Sequence, residues 1–186
     1  RHCQRIRISL NMETTERIVE AYVRYVKGWA TIPNIKCDGQ KEIDLYAIDP
    51  KTDDRYHIET TVSISQNYRA LTSNDFAPGD HKVRGKAARA RRTLGFFLEE
   101  KFDAPGVQKT LASYGGSRPV KKVIVIWEWK AGVKDAAAKH GVELWDFRDL
   151  MAQIAELGRH QRTYFGDDTL RTLTLFTKAL DSKAKG

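Results

Sequence analysis

Long apolar runs, a cysteine framework and a leader-like start are all missing from this chain. No stretch approaches membrane-spanning length, and the first residues lack the charged-then-apolar pattern of a secretory signal, so no helical membrane anchor is expected. Cys3 and Cys37 are the only cysteines, without CxxC spacing or nearby histidine pairs, which argues against a zinc site or a disulfide scaffold. Free thiols in a reducing cytoplasm are the expectation. Starting at Arg1 rather than Met leaves room for a longer parent protein with a fused domain. One further absence is local: between His81 and Leu98 there are six Lys or Arg residues and no acid. Exposed helices normally mix both signs, so this stretch points outward to a polyanion.

What is present suits a single globular domain. The 186 residues are 41% apolar and 30% charged, which excludes a disordered chain and allows a substantial core. A net charge of +8 and a pI near 9.5 favour nucleic acid first among partners.

Periodicity supplies the elements. Ile18, Val19, Tyr22, Val23 and Val26 recur at helical spacing, predicting a helix over 13–26 that Gly28 ends. Trp29 to Ile35 reads as a strand broken by Pro33, hence irregular or at an edge. Ile43 to Ile48 and Tyr56 to Ile64 read as strands joined by an Asp- and Pro-rich turn over 49–54. A polar loop over 66–80 leads to a long helix from His81 to Lys101, with Asp80 as N-cap and Val83, Ala87, Ala90, Leu94 and Phe97 as its apolar stripe. The segment 103–119 reads as a loop with at most a helical turn near Leu111, and Val120 to Trp129 as a strand buried on both faces. A helix at 133–139, a strand at 142–145 and a helix at 148–157 complete a core over about 13–157. The tail over 162–186 holds a terminal helix near 169–180. Such alternation predicts an α/β fold with a mixed central sheet flanked by helices.

Two residues break this apolar patterning with consequence. Asp44 lies on the second predicted strand and Glu59 inside the third. Burying a carboxylate is costly unless something compensates it, and two on neighbouring strands suggest a divalent cation. The bland readings are a solvent-facing Asp44 on an edge strand, and a Glu59 bridged to Arg55 or Lys41. His57 is expected on Glu59's face as a structural histidine, and Trp127, Trp129 and Trp145 as core or core-edge residues.

The element order, with Asp44 in Gly39-Gln-Lys-Glu-Ile-Asp44 and Glu59 in Glu59-Thr60-Thr61, resembles the PD-(D/E)xK nuclease superfamily with its restriction-endonuclease-like αβββαβ core. The resemblance covers about 13–157. It implies a metal-dependent DNA endonuclease, with Asp44, Glu59 and the Thr60 carbonyl as ligands of Mg²⁺ or Mn²⁺. It also implies a glutamate on the first helix, matched by Glu16 or Glu20. Thr61 stands where the family usually has lysine. A Glu-x-Thr version takes that lysine from the following helix, where Lys82 and Lys86 sit one turn apart. Lys82, Arg84, Lys86, Arg89, Arg91 and Arg92, with Arg118 in the Tyr114–Arg118 loop, are the expected contacts to DNA, most simply double-stranded. Defence against foreign DNA or mobile-element processing is the implied setting, and a homodimer suits double-strand cutting. The alternatives are a catalytically silent nucleic-acid-binding module on the same fold and a protein-interaction domain.

Overall fold

A five-stranded mixed sheet organises the chain. The structure, a computed structural model, describes residues 12–66, 68–79, 87–116, 118–162 and 165–184. Helix α1 (Thr14–Ala21) continues as a π-helical turn, Tyr22–Val26, and ends where the Lys27 amide reaches back to the Tyr22 carbonyl. Strands β1 (Ala30–Cys37), β2 (Lys41–Ile48) and β3 (Arg55–Thr61) form an antiparallel meander. Strands β5 (Val120–Ile126) and β7 (Val142–Asp146) then add in parallel beyond β3, each reached by a helical crossover. Pro33 lies in β1, which is indeed the edge, and Asn34 beside it takes the left-handed conformation at φ 51°.

Helices cover both faces of the sheet, so the central strands are apolar on both sides. On one face α1, α6 (Phe147–His160) and α7 (Asp168–Lys183) bury Val19, Val23, Leu150, Ile154 and Leu170 against Leu45, Ile58, Val123 and Val125. On the other, Phe97, Phe102, Val133 and Ala137 pack on Ile124 and Ile126, while Val107 and Leu111 pack near Tyr46 and Ile43. The helix α5 (Val133–Lys139) lies where periodicity places it. The three tryptophans expected at the core edge are partly buried against these clusters.

Two predicted elements are corrected. The first is the long helix over 81–101. Its described part is α2 (Ala87–Ala90), a break, then α3 (Leu94–Phe96) running into a π-helical segment, Phe97–Phe102. The break exists because the chain stops to pair. Thr93 bridges Thr72 in parallel, the Leu94 amide donates to the Thr72 carbonyl, and the Thr93 hydroxyl caps α3 by accepting from the Phe96 amide. Thr72 belongs to the expected polar loop, which also contributes β4 (Ala70–Leu71), paired with β6 (Glu128–Trp129). The second correction is the loop over 103–119, most of which is the helix α4 (Pro105–Gly115), opened by proline in its first turn. The Asp80 cap, Val83, Cys3, Lys82, Arg84 and Lys86 lie outside the described residues. No helix among the described residues is long and apolar enough to cross a membrane.

Candidate active site

The β2–β3 ladder runs from Ile48 opposite Arg55 to Leu45 opposite Ile58. The next rung would set Asp44 against Glu59, and there the strands part. Instead of pairing backbone to backbone, each amide turns to the other strand's carboxylate. The Thr60 amide donates to Asp44 Oδ2 at 2.8 Å, and the Asp44 amide donates to Glu59 Oε1 at 3.4 Å. Side chains directly opposite one another in an antiparallel pair share a face, so register puts both carboxylates on the side covered by α3 and α4.

Each carboxylate thus has one anchored oxygen and one presented oxygen. The presented pair, Asp44 Oδ1 and Glu59 Oε2, meets the ammonium of Lys101. Lys101 Nζ donates to Asp44 Oδ1 at 3.2 Å and forms an ion pair with Glu59 Oε2. Lys101 arrives on the π-helical segment that follows α3. On the far side, His57 Nε2 lies 2.7 Å from Glu59 Oε1. Asp44 is 8% exposed, Glu59 0% and His57 1%, so neither carboxylate is a surface charge. Glu59 is bridged by neither Arg55 nor Lys41: Lys41 pairs with Glu100, and Arg55 lies 3.9 Å from Asp53.

The electrostatics follow from two buried anions beside one ammonium. Burial first, and then the charge of Glu59, push the Asp44 carboxyl well above its ordinary value despite Lys101 and the Thr60 amide. Burial works the same way on Glu59, but Lys101 and His57 outweigh it and hold that carboxyl below its ordinary value. Burial opposes the Lys101 charge too, yet Glu59 and then Asp44 keep its pKa raised. One positive charge neutralises one carboxylate, and the cluster retains capacity for more.

An open cleft of about 480 Å³ exposes this arrangement to solvent, lined by Asp44, Glu59, Thr60, Lys101, Glu16 and Arg92 among others. Of the two first-helix glutamates, Glu16 lines it, and its carboxylate accepts from the Glu13 amide at 3.1 Å. Partial burial raises the Glu16 pKa. Glu20 does not line the cleft: it accepts from the Thr31 hydroxyl at 3.0 Å and lies 3.9 Å from Arg24.

The expected basic contacts divide. Arg91 and Arg92 line the cleft, with the Arg92 guanidinium held by the Thr61 carbonyl and hydroxyl. Arg89 is exposed and, with Arg92, Asn74 and Lys130, lines an adjoining cavity of about 590 Å³. Arg118 is elsewhere, ion-paired with Asp53 beside a separate cavity.

Among the described residues, no group of three or more His, Cys, Asp or Glu side chains is placed to hold a metal ion. Two carboxylates with converging oxygens remain, and Mg²⁺ commonly takes one or two protein carboxylates and keeps its waters. Hard oxygen donors, with one ammonium against two carboxyl groups, therefore fit such an ion. Asp44, Glu59 and the Thr60 carbonyl would hold it, with Glu16 within the same cleft.

Lys101 is the member of this cluster that sequence reasoning missed. The signal was there: Leu94, Phe97 and Lys101 continue one stripe at helical spacing, so a lysine occupies a position that should be apolar.

No family model matches the chain, and no curated protein matches it. Among solved structures, the crystal structure of a protein of unknown function, AF1548, is similar at a TM-score of 0.42 and 14% identity, covering 92% of this chain and 96% of that one. That likeness is too slight to carry any property across.

Proposed function

We propose that this chain is a divalent-metal-dependent nuclease of the PD-(D/E)xK kind that hydrolyses phosphodiester bonds in DNA. The observation that carries the reading is the convergence of Asp44 Oδ1 and Glu59 Oε2 on the Lys101 ammonium, in a cleft whose lining also includes Glu16, Arg91 and Arg92.

When bound, Mg²⁺ or Mn²⁺ supplies Lewis-acid polarisation of the phosphoryl oxygen and lowers the pKa of its water. The chain's own residues do the rest. Asp44 and Glu59 present one oxygen each, kept in place by the Thr60 amide and by the Asp44 amide with His57. Lys101 brings a permanent positive charge within reach of the same oxygens, where it stabilises negative charge developing on the phosphorus centre. It takes the part assigned by expectation to Lys82 or Lys86. Arg91 and Arg92 neutralise phosphates along the cleft, and Arg89 extends the positive surface to the neighbouring cavity.

One observation favours a second reading, a catalytically silent nucleic-acid-binding module. The Lys101 ammonium already pairs with both carboxylates, which offsets part of their charge without a metal.

Supercoiled plasmid separates the two. The nuclease is expected to nick or linearise it with Mg²⁺ or Mn²⁺, to stop in EDTA, and to lose activity in Glu59→Ala. Plasmid binding with no cleavage under either metal establishes the silent module.

A further inference from the structure

We infer that His57 is a positioning residue for Glu59: its Nε2–H fixes which carboxylate oxygen faces the cation site, and so sets the affinity of this site for a divalent metal. The inference rests on the reading of Asp44 and Glu59 as a metal-binding pair.

The two carboxylates are oriented by different means. Asp44 Oδ2 is held by a backbone amide, that of Thr60, at 2.8 Å. For Glu59 the backbone contribution is the longer bond from the Asp44 amide, 3.4 Å, and the short one, 2.7 Å, comes from His57. An ionised carboxylate only accepts, so the imidazole proton on that side sits on Nε2 and is donated to Oε1. With Oε1 committed, Oε2 is the oxygen left to face Lys101 and Asp44 Oδ1.

Position and packing make this bond rigid. His57 and Glu59 are two apart on β3 and so share a face. The imidazole meets the Phe102 ring edge-on, with centroids 4.8 Å apart and planes at 77°, and Phe102 directly follows Lys101. The histidine is therefore wedged between the carboxylate it orients and the segment that carries the lysine. Its Nδ1 is buried and finds no partner in the described structure.

The test is Mn²⁺ binding to intact protein, followed by the electron paramagnetic resonance signal of the free ion, alongside plasmid cleavage. His57→Leu keeps the volume and removes the donor. His57→Gln keeps an N–H that reaches Oε1. His57→Leu is expected to weaken Mn²⁺ binding about ten- to hundredfold, the usual consequence of losing a group that orients a metal ligand. The half-saturating metal for cleavage should rise in parallel, and His57→Gln should recover most of both. Should His57→Leu fail to fold, His57→Asn, whose amide is too short to reach Oε1, replaces it in the comparison. Equal Mn²⁺ affinity in wild type and the donor-less variant overturns the inference. So does a His57→Gln variant as weak as His57→Leu, which marks the ring as mere packing. A wild-type protein that takes up no Mn²⁺ overturns the metal site itself and this inference with it, a result distinguishable from the other two.

Discussion

Lys101 carries more of the site's character than any other single side chain. It is the sole cation in contact with both Asp44 and Glu59 among the described residues, and its partners are almost fully buried. Lys101→Met preserves length and removes the charge, leaving two carboxylates without a counter-ion. Loss of one partner from a buried ionic cluster destabilises on the order of 3 kcal/mol, so denaturant unfolding of the metal-free variant should show a fall of that size. With metal present the same variant should recover much of its stability, because the ion then supplies the missing charge, while turnover on plasmid stays about 10²- to 10³-fold below wild type. At this scale the sequence was legible in part. Asp44 and Glu59 stand out because each interrupts an apolar strand, although the sequence also allowed a solvent-facing Asp44 and a Glu59 bridged to Arg55 or Lys41. Lys101 was obscured by its setting at the end of a basic helix with Glu99 and Glu100 before it, where a lysine looks like ordinary solvated charge. Glu16 and Glu20 share a face of α1 one turn apart, so which of them reaches the cleft is decided by where the helix sits along the sheet, a tertiary quantity.

At the scale of elements, α3 shows how packing overrides propensity. Gly95 lies in this helix, where alanine is intrinsically better by about 1 kcal/mol. A Cβ at Gly95 would lie 2.4 Å from the Phe76 amide nitrogen and 2.7 Å from the Asp75 carbonyl carbon, both backbone atoms that cannot step aside. Gly95→Ala should therefore destabilise by about 1–3 kcal/mol, and chemical denaturation reads the sign directly. A stabilised variant would show that propensity governs. The break before α3 also has a tertiary cause, which is why it escaped notice. Residues 91–93 contain neither glycine nor proline, and the interruption comes from the distant Thr72. By contrast α4 was legible in principle, since Pro105 suits a first helical turn and Val107 and Leu111 are one turn apart. The strands at the site were clear because alternation and a turn rich in Asp bound them on both sides.

For the whole molecule, the positive charge and the sheet order act together. The +8 excess includes Arg92, held by Thr61 at the end of β3, Arg91 in the same cleft, and Arg89 in the adjoining cavity. Affinity for a DNA duplex should fall steeply with salt, log K against log salt having a slope of about −0.9 per phosphate neutralised. Arg89→Glu and Arg91→Glu should each flatten that slope by about one unit in fluorescence anisotropy, measured in EDTA so that no strand is cut. An unchanged slope would place DNA elsewhere on the surface. The mixed sheet with helices on both faces was readable from element order alone. Pro33 signalled the edge at β1, but the parting of β2 from β3 was not readable, because it depends on pairing between strands.

The π-helical turn beneath Lys101 has a consequence of its own. Such a turn accommodates one residue more than an α-helix of the same rise, and the Asp103 amide closing on the Leu98 carbonyl is its signature. Were Phe97–Phe102 wound as regular helix, every side chain after the tightened turn would rotate about the axis, and the ammonium would swing off its two acceptors. The reach of that lysine is thus stored in surplus backbone, a property of spacing that no substitution of one side chain can restore once a residue is deleted.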